Sequence, residues 1–168
     1  MSPTETASGP PLLERELRSE LEVEHLFDMG VELEPAQLIP TATGTIMNFV
    51  ARGGRFEGPR LRGEVLDGGG DGLVVGSDRV GRVDVRATLR TDDGVLLHYT
   101  AGGVIRIPAD GLERLAAGER LPFEETYVRT TPRLETADER YAWLARHVLV
   151  GLNELSKDHI DYRIYRLL

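Results

Sequence analysis

Asp84 and Arg86 are the acid and the cation in this sequence whose types and spacing best suit chemistry. They lie in "GRVDVRATLRTDDGVLL", residues 81–97, where Val83, Val85, Ala87 and Leu89 alternate with Arg82, Asp84, Arg86, Thr88 and Arg90. Such alternation makes a strand with two unlike faces. If the apolar face meets the core, the charges are simply solvated. If Asp84 and Arg86 turn inward, each needs a partner, because burying a bare charge is costly. The adjacent cation would then hold the carboxyl ionised. Together they would join a carboxylate base to an anchor for a developing oxyanion. Asp93-Gly94 is a hairpin turn signal. A connection of three or five residues puts His98 on the face of Arg86 and Thr88; one of two or four puts it with Ala87 and Leu89.

Other chemistries are poorly supplied. Lys157 is the sole lysine and falls in an expected turn, an unsuitable place for a Schiff base, which needs a desolvated amine. None of the serines lies in G-x-S-x-G. His25, His98, His147 and His159 make no close ligand pair, so no metal is expected. "GGGDG", residues 68–72, lacks the Lys-Ser/Thr of a phosphate loop. Asp, Glu, His, Tyr and Arg remain, which suits cofactor-free acid–base chemistry or the binding of a polar ligand.

The elements that would position these groups are mostly strands. "VEHLFDMGVEL" starts a sheet, Pro35 and Pro40 bound a loop, and "TGTIMNFVA" alternates as a strand. "RLRGEVL" reads as a strand with Leu61, Gly63 and Val65 on one side, and "GGGDG" as a loop. "TYVRTTPRLE" is extended, with Pro132 at an edge or bulge. "VLVGLNEL" and "HIDYRIYRLL" form a last hairpin around Ser156-Lys157-Asp158. Short helices are expected in "PLLERELRSELE" (residues 11–22), in "ADGLERLAAGE" ending at Gly118, and in "ADERYAWLARH" with Asp138 as N-cap. Eight or nine strands in 168 residues predict a mainly all-β protein, an antiparallel closed or nearly closed barrel. Residues 1–20 read as a flexible, partly helical tail and 21–168 as one barrel domain.

The net charge of −8 argues against nucleic acid and anionic membranes, which need clustered cations. No cysteine is present, which fits a reducing cytoplasm. No apolar run approaches the ~20 residues of a membrane span.

"GGRFEGPRLRGEVLDGGGD", "VDVRATLRTDDGVLLHYTAGG" and "VRTTPRLET…YAWL" resemble one family, catalogued as domain of unknown function 3237. Its run of motifs, G-P-x-L-x-G, G-G-x-D, D-x-R, T-D-D-G and Y-x-W-L, stands here in order between about Leu21 and Leu168. The resemblance implies a β-barrel, often oligomeric, with cyclisation or isomerisation roles for members in natural-product pathways. Its motif positions nominate Asp71, Asp84 and Arg86 as catalytic. Glu57, Arg129, Tyr141 and Trp143 fall in the matched segments and, with His98, are nominated for substrate binding. Asp93 is the turn residue of T-D-D-G. The family pattern has an aromatic after G-G-x-D where this chain has Gly72, which implies a roomier mouth if that position lines the pocket.

The function expected is a cofactor-independent cyclase- or isomerase-type enzyme acting on a small, polyketide-like organic molecule. Asp71 or Asp84 would move the proton while Arg86 holds the anion. The alternatives are a non-catalytic small-molecule-binding barrel, or a structural module with a filled barrel. A homo-oligomer, dimer favoured, is expected from the apolar end of "YRIYRLL".

Overall fold

The computed structural model describes residues 20–168. The tail and most of the first helix expected from the sequence lie outside the described residues. Glu20 to Glu22 run into the first strand without a helical turn.

Ten strands follow: β1 (Val23–Leu33), β2 (Gln37–Thr41), β3 (Gly44–Glu57), β4 (Arg62–Val65), β5 (Gly70–Gly76), β6 (Gly81–Thr91), β7 (Leu96–Arg106), β8 (Tyr127–Glu135), β9 (Leu149–Ser156) and β10 (His159–Leu167). They form a closed antiparallel eight-stranded barrel with two extra strands. Neighbours run β1-β10-β9-β8-β7-β6, and the slot between β6 and β3 is filled twice. β4 occupies one end of it, opposite Gly54–Glu57, and β5 the other, opposite Gly44–Val50. The β1–β3 ladder closes the ring, pairing Asp28 with Glu57 through to Leu33 with Ala51. Closure leaves no long unpaired edge.

That seam demands a glycine. A Cβ on Gly54 would lie 2.1 Å from the Gly30 carbonyl oxygen and 3.1 Å from Val31 Cα, both backbone and unable to yield. Gly54→Ala is therefore expected to cost about 3 kcal/mol. In a domain of this size that lowers Tm by roughly 6–12 °C. A thermal melt within 2 °C of wild type would show that the seam tolerates a side chain.

Two prolines mark where ladders end. Pro40, expected at the boundary of a loop, lies inside β2, which pairs only with β3, so its missing N–H costs no ladder bond. β8 pairs with β7 along its whole length but with β9 only at Arg129 and Thr130. Pro132 lies just beyond the point where β9 departs.

One end of the barrel is plugged. A 3₁₀ turn over Ala142–Arg146 buries Leu144 in the same core cluster as Leu97, Leu134 and Leu149. Tyr141 and Trp143 pack beside it. A regular helix was expected here with Asp138 as its cap. Instead Asp138 Oδ1 accepts the Arg140 N–H at 3.0 Å, and its carbonyl accepts those of Tyr141 and Ala142. Asp138 thus holds a tight turn rather than opening a helix. At the other end a short helix, α1 (Gly111–Ala116), hangs over the mouth.

Candidate functional site

Strand parity decides which groups can meet inside. On β6, Gly81, Val83, Val85, Leu89 and Thr91 are buried, whereas Arg82, Asp84, Arg86 and Arg90 are exposed. The expectation that Asp84 and Arg86 face an enclosed hollow is thereby corrected. Their side chains are 67% and 72% exposed and 3.4 Å apart on the outer wall. The alternative would have put four charges of one strand into the lumen, at a desolvation cost that the apolar face avoids. An exposed pair of this kind contributes ~1 kcal/mol or less.

The other nominated residues disperse as well. The β6–β7 turn closes between Thr91 and Val95, a three-residue connection with Gly94 left-handed at φ 88°. His98 accordingly falls opposite Thr88 on the outer, exposed face. Glu57 is exposed at the end of β3. Arg129 lies outside the barrel, its guanidinium 4.5 Å from the Phe123 ring and 4.8 Å from that of Tyr127. At the plugged end the Tyr141 hydroxyl donates to the Asp93 carboxylate at 3.1 Å, and the Arg60 guanidinium lies 3.9 Å over the Trp143 ring. Neither Tyr141 nor Trp143 lines the open end, so both serve the plug.

Asp71 does face inward. It was expected in a loop, but β5 begins at Gly70 and carries Asp71, Leu73 and Val75 on its inner side. Phe49 lies opposite Asp71 on β3 and Val85 opposite it on β6. Between Asp71 and Val74 the β5–β6 ladder is interrupted, and there the Asp84 backbone N–H donates to Asp71 Oδ1 at 2.9 Å. The side chain replaces a strand bond, which holds the carboxylate in one orientation. Asp84 thus serves the site through its main chain. Gly72 is on the opposite side of β5, where a Cβ would meet open space. A missing aromatic there does not enlarge the mouth.

The interior around Asp71 holds a cavity of about 570 Å³, reaching from α1 and the mouth down to Asp71. Its wall includes Met47, Phe49, Leu73, Val75 and Ile105. Below it a chamber of about 30 Å³ extends to Tyr99 and Tyr162. Leu33, Phe49, Asp71 and Ile160 border both spaces. A volume near 30 Å³ matches one water's share of liquid, enough for a single oxygen-bearing group. Removal from water pushes the Asp71 carboxyl up from 3.8 to about 6. The Asp84 N–H pulls it back and the Asp84 carboxylate pushes it further up. Tyr99 and Tyr162 are buried, and burial raises both phenols above 10; Tyr162 and then the Asp71 charge add to the rise at Tyr99, and the Asp71 charge adds to that at Tyr162. Among the described residues the Tyr99 hydroxyl has no hydrogen-bond partner.

A second concavity, about 610 Å³, lies on the outer wall over β1, β9 and β10. Among its charges, Arg163 holds Asp28 at 2.7 Å, and Arg120 bridges Glu154 and Asp161. Among the described residues no group of three His, Asp or Glu is placed to hold a metal ion. None of the described helices is long and apolar enough to cross a membrane.

The profile of the family described as "Protein of unknown function (DUF3237)" matches residues 21–167. The chain belongs to DUF3237. A curated relative of this DUF3237 chain, a UPF0311 protein of Rhodopseudomonas palustris, is 26% identical over 153 residues, 88% of this chain and 97% of its own. A β-barrel-like protein from Acinetobacter baumannii superposes with a TM-score of 0.76 at 28% identity, over 92% of this chain and all of its own. A protein from Penicillium herquei, described as an enzyme, shares the fold at TM-score 0.67 and 18% identity, over 92% and 99%.

In this DUF3237 chain the tyrosines of the chamber escaped sequence reasoning, although a signal existed. Tyr99 alternates with Leu97 and Ala101, and Tyr162 with Ile160 and Ile164. A phenol on the apolar face of a strand brings its hydroxyl inside.

Proposed function

We propose that this DUF3237 protein is an enzyme that moves a proton on a small, largely apolar carbonyl compound, without a cofactor, inside the barrel. Isomerisation or ring closure is the outcome class. The observation that carries this reading is Asp71, a carboxyl held by a strand N–H at the floor of an apolar cavity. The enzyme description of the Penicillium herquei protein supports it by analogy of fold. An open lumen of this size supports a small-molecule site over a filled barrel. Cytoplasmic residence is part of the proposal and is supported by the cysteine-free sequence.

In the step proposed, the Asp71 carboxylate takes a proton from the carbon beside the carbonyl. The C–H electron pair forms the enolate C=C bond, and the carbonyl π pair moves to oxygen. That oxygen enters the lower chamber and accepts a hydrogen bond from the Tyr99 hydroxyl, with Tyr162 beside it. Protonated Asp71 then returns the proton at a second carbon, giving an isomer, or the enolate carbon attacks a second carbonyl carbon of the same molecule and closes a ring, as that carbonyl's π pair moves to its oxygen, which takes the proton from Asp71. A carboxyl near pKa 6 is a stronger base than an ordinary aspartate and is still mostly ionised at neutral pH.

Proton exchange tests this without knowledge of the natural substrate. With 2-tetralone in D₂O, proton NMR should show the α-protons lost at least a hundredfold faster with protein than in buffer. Exchange at the buffer rate for 2-tetralone and for a set of cyclic ketones and 1,3-diketones would overturn the reading.

A further inference from the structure

Two basic residues line the mouth of the lumen, and neither has a carboxylate partner among the described residues. Arg79 stands in the β5–β6 turn and Lys157 in the β9–β10 turn, and both border the 570 Å³ cavity. Each turn contains a non-glycine residue in the left-handed region, Arg79 at φ 59° and Asp158 at φ 56°. Such a backbone persists only where the turn fixes it. Most other described arginines lie beside a carboxylate, as Arg163 does beside Asp28 and Arg90 beside Glu64, or over an aromatic ring, as Arg60 does over Trp143. Asp78, adjacent to Arg79, is bound by Arg82 at 2.7 Å instead. Among the described residues no carboxylate lies within 4 Å of the basic nitrogens of Arg79 or Lys157. Asp158 is the carboxylate at the rim, so the rim carries a net positive charge.

We propose that the substrate is an amphipathic anion, with its apolar body in the lumen, its reacting end at Asp71 and its negative group between Arg79 and Lys157. The proposal rests on the lumen being the substrate site, as argued above. The polarity runs in one direction. A negative group at the floor would meet the Asp71 carboxylate without solvent, whereas at the rim it meets two cations while keeping part of its hydration. The shaft sets the length. Asp71 to Gly76 is five strand steps of about 3.3 Å, or about 12 Å along the axis at a usual barrel tilt. The anion and the reacting carbon are therefore about 10–15 Å apart. Short keto acids cannot span that distance, while two or three fused rings bearing an acidic side chain, or an acyl chain of about ten carbons, can.

Two fluorescent probes with the same aromatic body separate charge from shape: 8-anilinonaphthalene-1-sulfonate, which is anionic, and N-phenyl-1-naphthylamine, which is neutral. Both are titrated into the full chain and into Arg79→Asn/Lys157→Gln, where Asn tolerates the left-handed turn. The expected result is roughly a tenfold rise in Kd for the sulfonate and less than a twofold change for the neutral probe. Added salt should weaken only the sulfonate in wild type, and the neutral probe should displace it. Equal changes for both probes, an unchanged sulfonate Kd, or failure of the probes to compete would overturn the proposal. Exchange on 2-tetralone, which carries no charge, reads the proton-transfer proposal separately, so either can fail alone.

Discussion

Asp71→Asn should remove α-proton exchange by a factor of about 10²–10⁴, the usual worth of a positioned general base. The substitution is nearly isosteric, and the amide oxygen can still accept the Asp84 N–H that the carboxylate accepts at 2.9 Å. The geometry of the floor is thus kept while its basicity is lost. The wild-type exchange rate should rise with pH through about 6, as the carboxyl ionises, and then level off. Asp84→Asn and Arg86→Gln should stay within twofold of wild type, since both side chains point to solvent. A fully active Asp71→Asn would remove the base from the scheme. A large loss in Asp84→Asn with Asp71→Asn intact would move the chemistry to the outer wall.

The same substitution should stabilise the fold above pH 6. Asp71 has a folded pKa near 6 against an ordinary 3.8, a rise of about two units. Between those values the folded state holds a proton that the unfolded state has released, so wild-type stability falls as pH rises. The loss is complete above pH 6. Two units correspond to about 3 kcal/mol at full effect, and partial solvation of the carboxyl reduces this to roughly 1–3 kcal/mol. Asp71→Asn escapes the penalty. Its Tm should exceed that of wild type by about 2–10 °C at pH 8 and match it near pH 3.5. Melting curves whose difference does not change between pH 3.5 and 8 would show that Asp71 is not held out of water. Activity and stability are thus expected to move in opposite directions, the pattern of a group kept where it is costly to ionise.

Period-two alternation made the barrel legible in the sequence. β1 was expected over its full extent, and the apolar face of β6 was identified residue by residue. What alternation alone left undetermined was which face of β6 met the interior, and the lumen settles that in favour of the valines. Asp71 came through the family motif, yet its place was misread. Three consecutive glycines suggested a loop, whereas Gly70 belongs to a strand that approaches β3 closely: a Cβ there would lie 2.1 Å from the Phe49 carbonyl oxygen. Glycine signals close backbone approach as well as turns, and local sequence does not separate the two. The tyrosines and the rim cations were obscure for another reason. Arg79, Tyr99 and the hairpin that carries Lys157 and Tyr162 are three separated segments, which only ring closure brings around the cavity and the chamber below it.

Among the described residues, Leu144 and Trp143 stopper one end of the barrel, which leaves the end under α1 as the doorway to the cavity. Whatever enters past α1 must back out along the same path, so a second molecule cannot arrive until the first has gone. Traffic through such a dead end is strictly sequential, and a product as bulky as its precursor competes for the same shaft. Slow clearance and strong inhibition by product are the kinetic habits that this shape imposes.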